Sequence, residues 1–134
     1  MATAAQYATT PKVGAAALTT GDVSRTAPTT VATVFTAGAS GSRIDKLTFI
    51  ATGTTTATMA RWWIYTGSVY FLIAEVPIAA VTPSTSNPTS NVNLNSVVNY
   101  NLLPLVIPSG YSIRATINDT TAGGVNAIAY GGDF

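Results

Sequence analysis

The chain has 134 residues, of which 47% are apolar and only 8% charged, with six basic and five acidic side chains, no histidine and no cysteine. A soluble domain is ordinarily about 25% charged, so the groups used for acid–base work, metal ligation and nucleophile activation are missing or sparse. A serine–histidine triad and disulfide stapling are excluded outright, a net charge of +1 gives no electrostatic reason to bind nucleic acid, and no run reaches the roughly 18 apolar residues of a membrane-spanning helix.

The length fits one domain, near the common size of about 100–150 residues. Threonine supplies 23 residues; it is β-branched and favoured on a pleated surface. Strong helix formers are scarce, and Gly, Pro and Asn/Ser/Thr clusters recur at the spacing of a sandwich or barrel.

Residues 1–28 are small, Ala/Thr-rich and weakly periodic, broken by Pro11 and Pro28. They read as an extended N-terminal arm preceding a β-sandwich domain over 29–134, although Lys12–Thr20 has the composition of a strand or of a short helix around Ala15–Leu18. The start of the chain has neither the charged beginning nor the apolar stretch of a secretory signal.

From Thr30 to Thr36 the pattern predicts a strand with Val31, Thr33 and Phe35 on one face. The Gly38–Ser42 segment is a turn. Arg43–Ala51 alternates Leu47 and Phe49 against Lys46, Thr48 and Ile50. After the Thr52–Thr56 loop, Thr58–Thr66 places Trp62 and Ile64 on one side and Arg61, Trp63 and Tyr65 on the other. Thr66-Gly67-Ser68 has the composition of a hairpin turn, answered by Val69–Ile78, with Val69, Phe71 and Ile73 opposite Tyr70, Leu72 and Ala74.

A polar loop over Thr82–Ser90 leads to Asn91–Tyr100, which alternates apolar residues with asparagines. Pro104 demotes Leu102–Ile107 to an edge strand or connector. Tyr111–Asn118 is a strand with Tyr111, Ile113, Ala115 and Ile117 on one face, and Val125–Tyr130 closes the chain. About eight antiparallel strands without a helix suit a single jelly-roll-like all-β sandwich; an immunoglobulin-like sandwich is the alternative.

Little in the sequence carries chemistry. Trp62 and Trp63 cannot both enter one core, because neighbouring strand residues point to opposite faces. Trp63 with Tyr65 and Tyr70 therefore suggests an exposed aromatic platform, able to anchor a protein partner or stack on a sugar. The densest charge cluster, Arg43, Asp45 and Lys46, suggests a subunit salt bridge or a solvated strand start. On the arm, Tyr7 and Lys12 are the candidate interface residues. Glu75 and Arg114 are single charges inside apolar strands. Asp119 among Asn118, Thr120 and Thr121 is a weak cation signal, and the scattered acids meet only if the fold brings them together. No catalytic residue, metal or cofactor is expected.

Five segments carry a family resemblance: Gly41-Ser42-Arg43-Ile44-Asp45, the loop from Ala51 to Ala57, Ala74-Glu75-Val76-Pro77-Ile78 leading to Thr82-Pro83-Ser84, the run from Leu105 to Ala115, and the tail from Asn126 to Phe134. In this order they resemble small structural proteins of tailed bacteriophages, over about residues 41–134. The resemblance implies a virion component on the capsid exterior, of the cement or decoration type. Such proteins are small, β-rich, often trimeric, and clamp adjacent subunits of the major capsid protein. In that setting the arm would reach a neighbouring subunit. A receptor- or glycan-binding module of a head fibre, neck or tail component, using Trp63 and Tyr65, is the alternative. Neither reading calls for catalysis, nucleic acid or a membrane.

Overall fold

A computed structural model describes residues 7–94, 103–120 and 124–134. Those residues form nine strands and no helix: β1 (Thr10–Leu18), β2 (Ala32–Thr36), β3 (Ser42–Ala51), β4 (Thr58–Tyr65), β5 (Tyr70–Ile78), β6 (Asn91–Asn93), β7 (Leu105–Ile107), β8 (Ser112–Ile117) and β9 (Val125–Asp133). The latter part of the strand expected over Asn91–Tyr100 lies outside the described residues; its beginning is β6.

All pairing between these strands is antiparallel, and most of it is nested. β1 pairs with β9 from Thr10↔Asp133 to Leu18↔Val125, β2 with β8, β3 with β6 and β7, and β4 with β5. The chain is thus one long hairpin folded on itself. Two further pairings, β9 with β3 and β8 with β4, roll that hairpin into two sheets. The larger sheet has the order β1-β9-β3-β6 with β7 also on β3; the smaller has the order β2-β8-β4-β5. This is the strand order of a jelly roll, and it sets aside the immunoglobulin-like alternative, whose sheets split the strands differently.

The core lies between the sheets, where alternate side chains of β3, β4, β8 and β9 converge. Ile44, Leu47, Phe49, Trp62, Ile113, Ala115, Ile117, Ala127 and Ala129 are all buried. The Trp62 and Phe49 rings stack at 4.5 Å. At that site the indole Nε1 has no hydrogen-bond partner among the described residues.

Three bulges shift the alternation read from the sequence. In β2 the register slips between Thr33 and Phe35, so Val34 and Phe35 are both buried and Thr33 is exposed. In the β4–β5 pair it slips between Trp62 and Trp63, leaving Ala74, opposite Trp62, in the core rather than on the Tyr70–Leu72 side. In the β3–β9 pair it slips between Ile44 and Lys46, so Asp45 and Lys46 are both exposed. A bulge adds one residue to one strand and reverses the face of everything beyond it.

The expected N-terminal arm is different in the structure. Residues 10–18 of it are the edge strand β1, paired along its whole length with the end of the chain. β1 also meets β2, closing one side of the sandwich. A Cβ at Gly14 would fall 1.9 Å from the Val34 carbonyl oxygen, so only glycine allows that approach. Gly131 has the same role at the β3 bulge, where a Cβ would fall 1.9 Å from the Arg43 carbonyl oxygen.

Candidate functional site

The outward side of the smaller sheet is partly covered by the protein itself. The loop of residues 19–31 crosses it: Asp22 N donates to the Ile117 carbonyl at 2.7 Å. The Asp22 carbonyl accepts from Arg61 at 3.2 Å, and the Arg25 side chain reaches Glu75. The loop is braced from within, because the Asp22 carboxylate accepts the backbone N–H groups of Thr30, Ser24 and Thr29. These bonds, Thr30 first, hold its pKa below the usual aspartate value.

Arg61 has no exposed surface on this side. Its guanidinium donates to Glu75 at 2.7 Å and to Asn118 Oδ1 at 3.0 Å, besides the Asp22 carbonyl. Hydrogen bonding from Arg61, seconded by Arg25, holds the Glu75 carboxyl below the usual glutamate range.

Trp63 is 0% exposed and donates its indole N–H to Thr116 Oγ1 at 3.0 Å. The exposed Trp63–Tyr65 platform expected from alternation is therefore not formed. Tyr65 is half-buried, with its ring 4.4 Å from that of Tyr70. The Arg114 guanidinium lies 3.9 Å from the Tyr65 ring centroid and donates to the Tyr70 hydroxyl at 2.9 Å. These aromatics pack around an arginine. Alternation placed Trp63 on the outward side correctly; the loop that covers that side is remote in sequence.

The remaining candidates divide. Lys12 is an internal fastener: its ammonium lies 3.3 Å from Asp133, donates to the Thr36 carbonyl, and sits over the Phe35 ring at 4.8 Å. It joins β1 to β2 and β9. Ser42 Oγ also donates to Asp133, and this bond, ahead of Lys12, lowers the Asp133 pKa. Arg43 and Asp45 form an exposed pair at 2.7 Å along β3. Tyr7, just before β1, is 75% exposed. Asp119 accepts from Thr58 Oγ1 at 2.8 Å and from Asn118. Among the described residues no three Asp or Glu side chains gather where a metal ion could sit.

The surface that residue-by-residue reading missed is the outward side of the larger sheet. Strand register builds it in rows: Val13–Tyr130–Lys46, then Ala15–Ile128–Thr48–Asn93, then Ala17–Asn126–Ile50–Asn91. Within these rows Lys46 is the only charged residue. Val13 is 62% exposed, with Ile50 and Tyr130 at 37% and 36%. A shallow groove of about 280 Å³ runs between β9, β3 and β6, lined by Lys46, Thr48, Ile50, Asn91, Asn93, Ile128 and Tyr130. The Lys46 ammonium lies 5.3 Å from the Tyr130 ring centroid. The signal was present in the sequence as apolar residues on both sides of β1 and β9, which a strand covered on one side only does not need.

Searched against protein-family models and against curated proteins, the chain matches none.

Proposed function

We propose that this chain is a structural protein of a phage virion, a cement or decoration protein that sits on the capsid exterior and clamps adjacent major capsid subunits, with self-association into a homotrimer. One observation carries the reading: among the described residues the larger sheet of the jelly roll keeps Val13, Ile50 and Tyr130 exposed on its outward side, in rows that contain a single charge, Lys46. Interface cores are depleted of charged residues and enriched in tyrosine. Val13, Ile50, Ile128 and Tyr130 on a background of Ala, Thr and Asn have that composition. A neutral surface of this kind favours association over staying apart in water.

The mechanism is mechanical. Burial of the larger sheet against two capsid subunits at once would tie together sites that internal pressure pulls apart. The phage resemblance of residues 41–134 supports the assignment, and the sparse acids and absent histidine accord with a role that requires no catalysis. The glycan-binding alternative relied on an open Trp63, and a fully buried Trp63 removes its stacking surface.

Binding of the purified protein to capsids stripped of it tests the proposal. Ile128→Asp, in the middle of the uncovered rows, is expected to abolish binding while leaving the fold intact. Wild-type protein that fails to bind stripped capsids would sink the reading.

A further inference from the structure

The uncovered rows contain one charge, and its position says what the partner must present. Lys46 projects from β3 beside Tyr130, at the groove. Of the six cations, Lys12 faces Asp133, Arg25 and Arg61 share Glu75, and Arg43 holds Asp45. Arg114 is bonded to Ser112 and Tyr70. Lys46 joins no salt bridge among the described residues; its neighbour is the face of an aromatic ring, a site that already favours positive charge.

An ammonium buried without an anion is costly, and interfaces that cover a charge supply its opposite. Resting on the docking reading above, we infer that Lys46 pairs with a carboxylate presented by the capsid subunit, an Asp or Glu side chain seated in the groove beside Tyr130. The groove, at about 280 Å³, has room for a side chain rather than for a large ligand. Thr48 and Asn91 add neutral polar groups to its lining.

The same chemistry argues against a second copy of this chain on that face. Its nearest acid, Asp45, is bonded to Arg43 at 2.7 Å. Two copies packed about a two-fold axis through the groove would bring Lys46 toward its own equivalent, and like charges set together in an interface are repulsive.

The experiment compares wild type, Lys46→Met, Lys46→Arg, Lys46→Glu and Ile128→Asp for binding to stripped capsids at two salt concentrations, with thermal unfolding of each as a control for folding. Lys46→Met should bind about 30-fold or more weakly, the lower end for loss of one partner of a buried charge pair, and should lose most of the salt dependence. Lys46→Arg keeps the charge and should stay within about tenfold of wild type, whereas Lys46→Glu should not bind. Lys46→Met binding as tightly as wild type, while Ile128→Asp fails to bind, would overturn the carboxylate partner and leave the docking face standing. If wild type itself does not bind, the docking reading falls, and this inference falls with it.

Discussion

Arg61 ties three segments of the structure together. It is fully buried, yet every partner it has comes from a different segment: Glu75 from β5, Asn118 from the end of β8, and the Asp22 carbonyl from the loop of residues 19–31. Removing one side of a buried ion pair strands the groups left behind. Arg61→Met is expected to cost about 3 kcal/mol, read as a lower denaturation midpoint in urea. Gly14 is critical for the opposite reason, since it has no side chain. Gly14→Ala would drive a Cβ to 1.9 Å from the Val34 carbonyl oxygen. The expected loss is about 3 kcal/mol or failure to fold, because backbone on both sides leaves nothing soft to move. Neither residue stood out in the sequence. Arg61 read as one more outward charge, and Gly14 as part of a featureless arm, because what each touches lies far along the chain.

At the scale of elements, the loop of residues 19–31 and the strand β1 were the least legible. A loop has no period to read, and β1 is too rich in Ala and Gly to show one clearly. Both prove integral. The loop is held by carboxylates whose folded pKa values are depressed, Glu75 chiefly by Arg61 and Asp22 chiefly by the Thr30 N–H. A depressed folded pKa contributes stability that is fully present above the unfolded value and is lost as pH falls through the folded one. Stability should therefore be level near neutrality and decline below about pH 4.5, the ordinary glutamate value. Glu75→Gln should lower stability at pH 7 and flatten that acid decline; urea midpoints at pH 7 and pH 3 check it. For β1 the outcome is blunter. Deletion of residues 1–18 removes one of the two strands paired with β9, along all nine of its residues, and the remaining chain should show no cooperative thermal transition. A folded product with wild-type unfolding behaviour would contradict the role given to β1.

At the scale of the molecule, the nested topology ties the two ends together: Thr10 pairs with Asp133, and each inner strand pair sits inside the last. Few contacts are local, and loop closure must precede the pairing that rewards it. Refolding is expected on the order of milliseconds to seconds, the range of β-sandwiches, in place of the microseconds of helical bundles; stopped-flow tryptophan fluorescence would measure it, with Trp62 and Trp63 both buried as reporters. The same topology sets the two sheets apart in function. The loop between β1 and β2 crosses from one sheet to the other, and in crossing it covers the smaller sheet's outward side around Arg61 and Glu75. The larger sheet receives no such cover among the described residues.

The amino-acid sequence by itself determined the class of the protein: most strands in nearly their observed places, turns at Gly and Pro, and few charged groups with no histidine or cysteine. Those features are local, since side-chain alternation and turn chemistry depend on residues within a few positions of each other. Tertiary structure alone decided which outward faces meet water. Trp63 and Ile128 occupy equivalent outward positions on their strands. Trp63 is fully buried on the side that residues 19–31 cross, while Ile128 keeps exposed surface beside a groove. That difference is made by segments far apart in sequence.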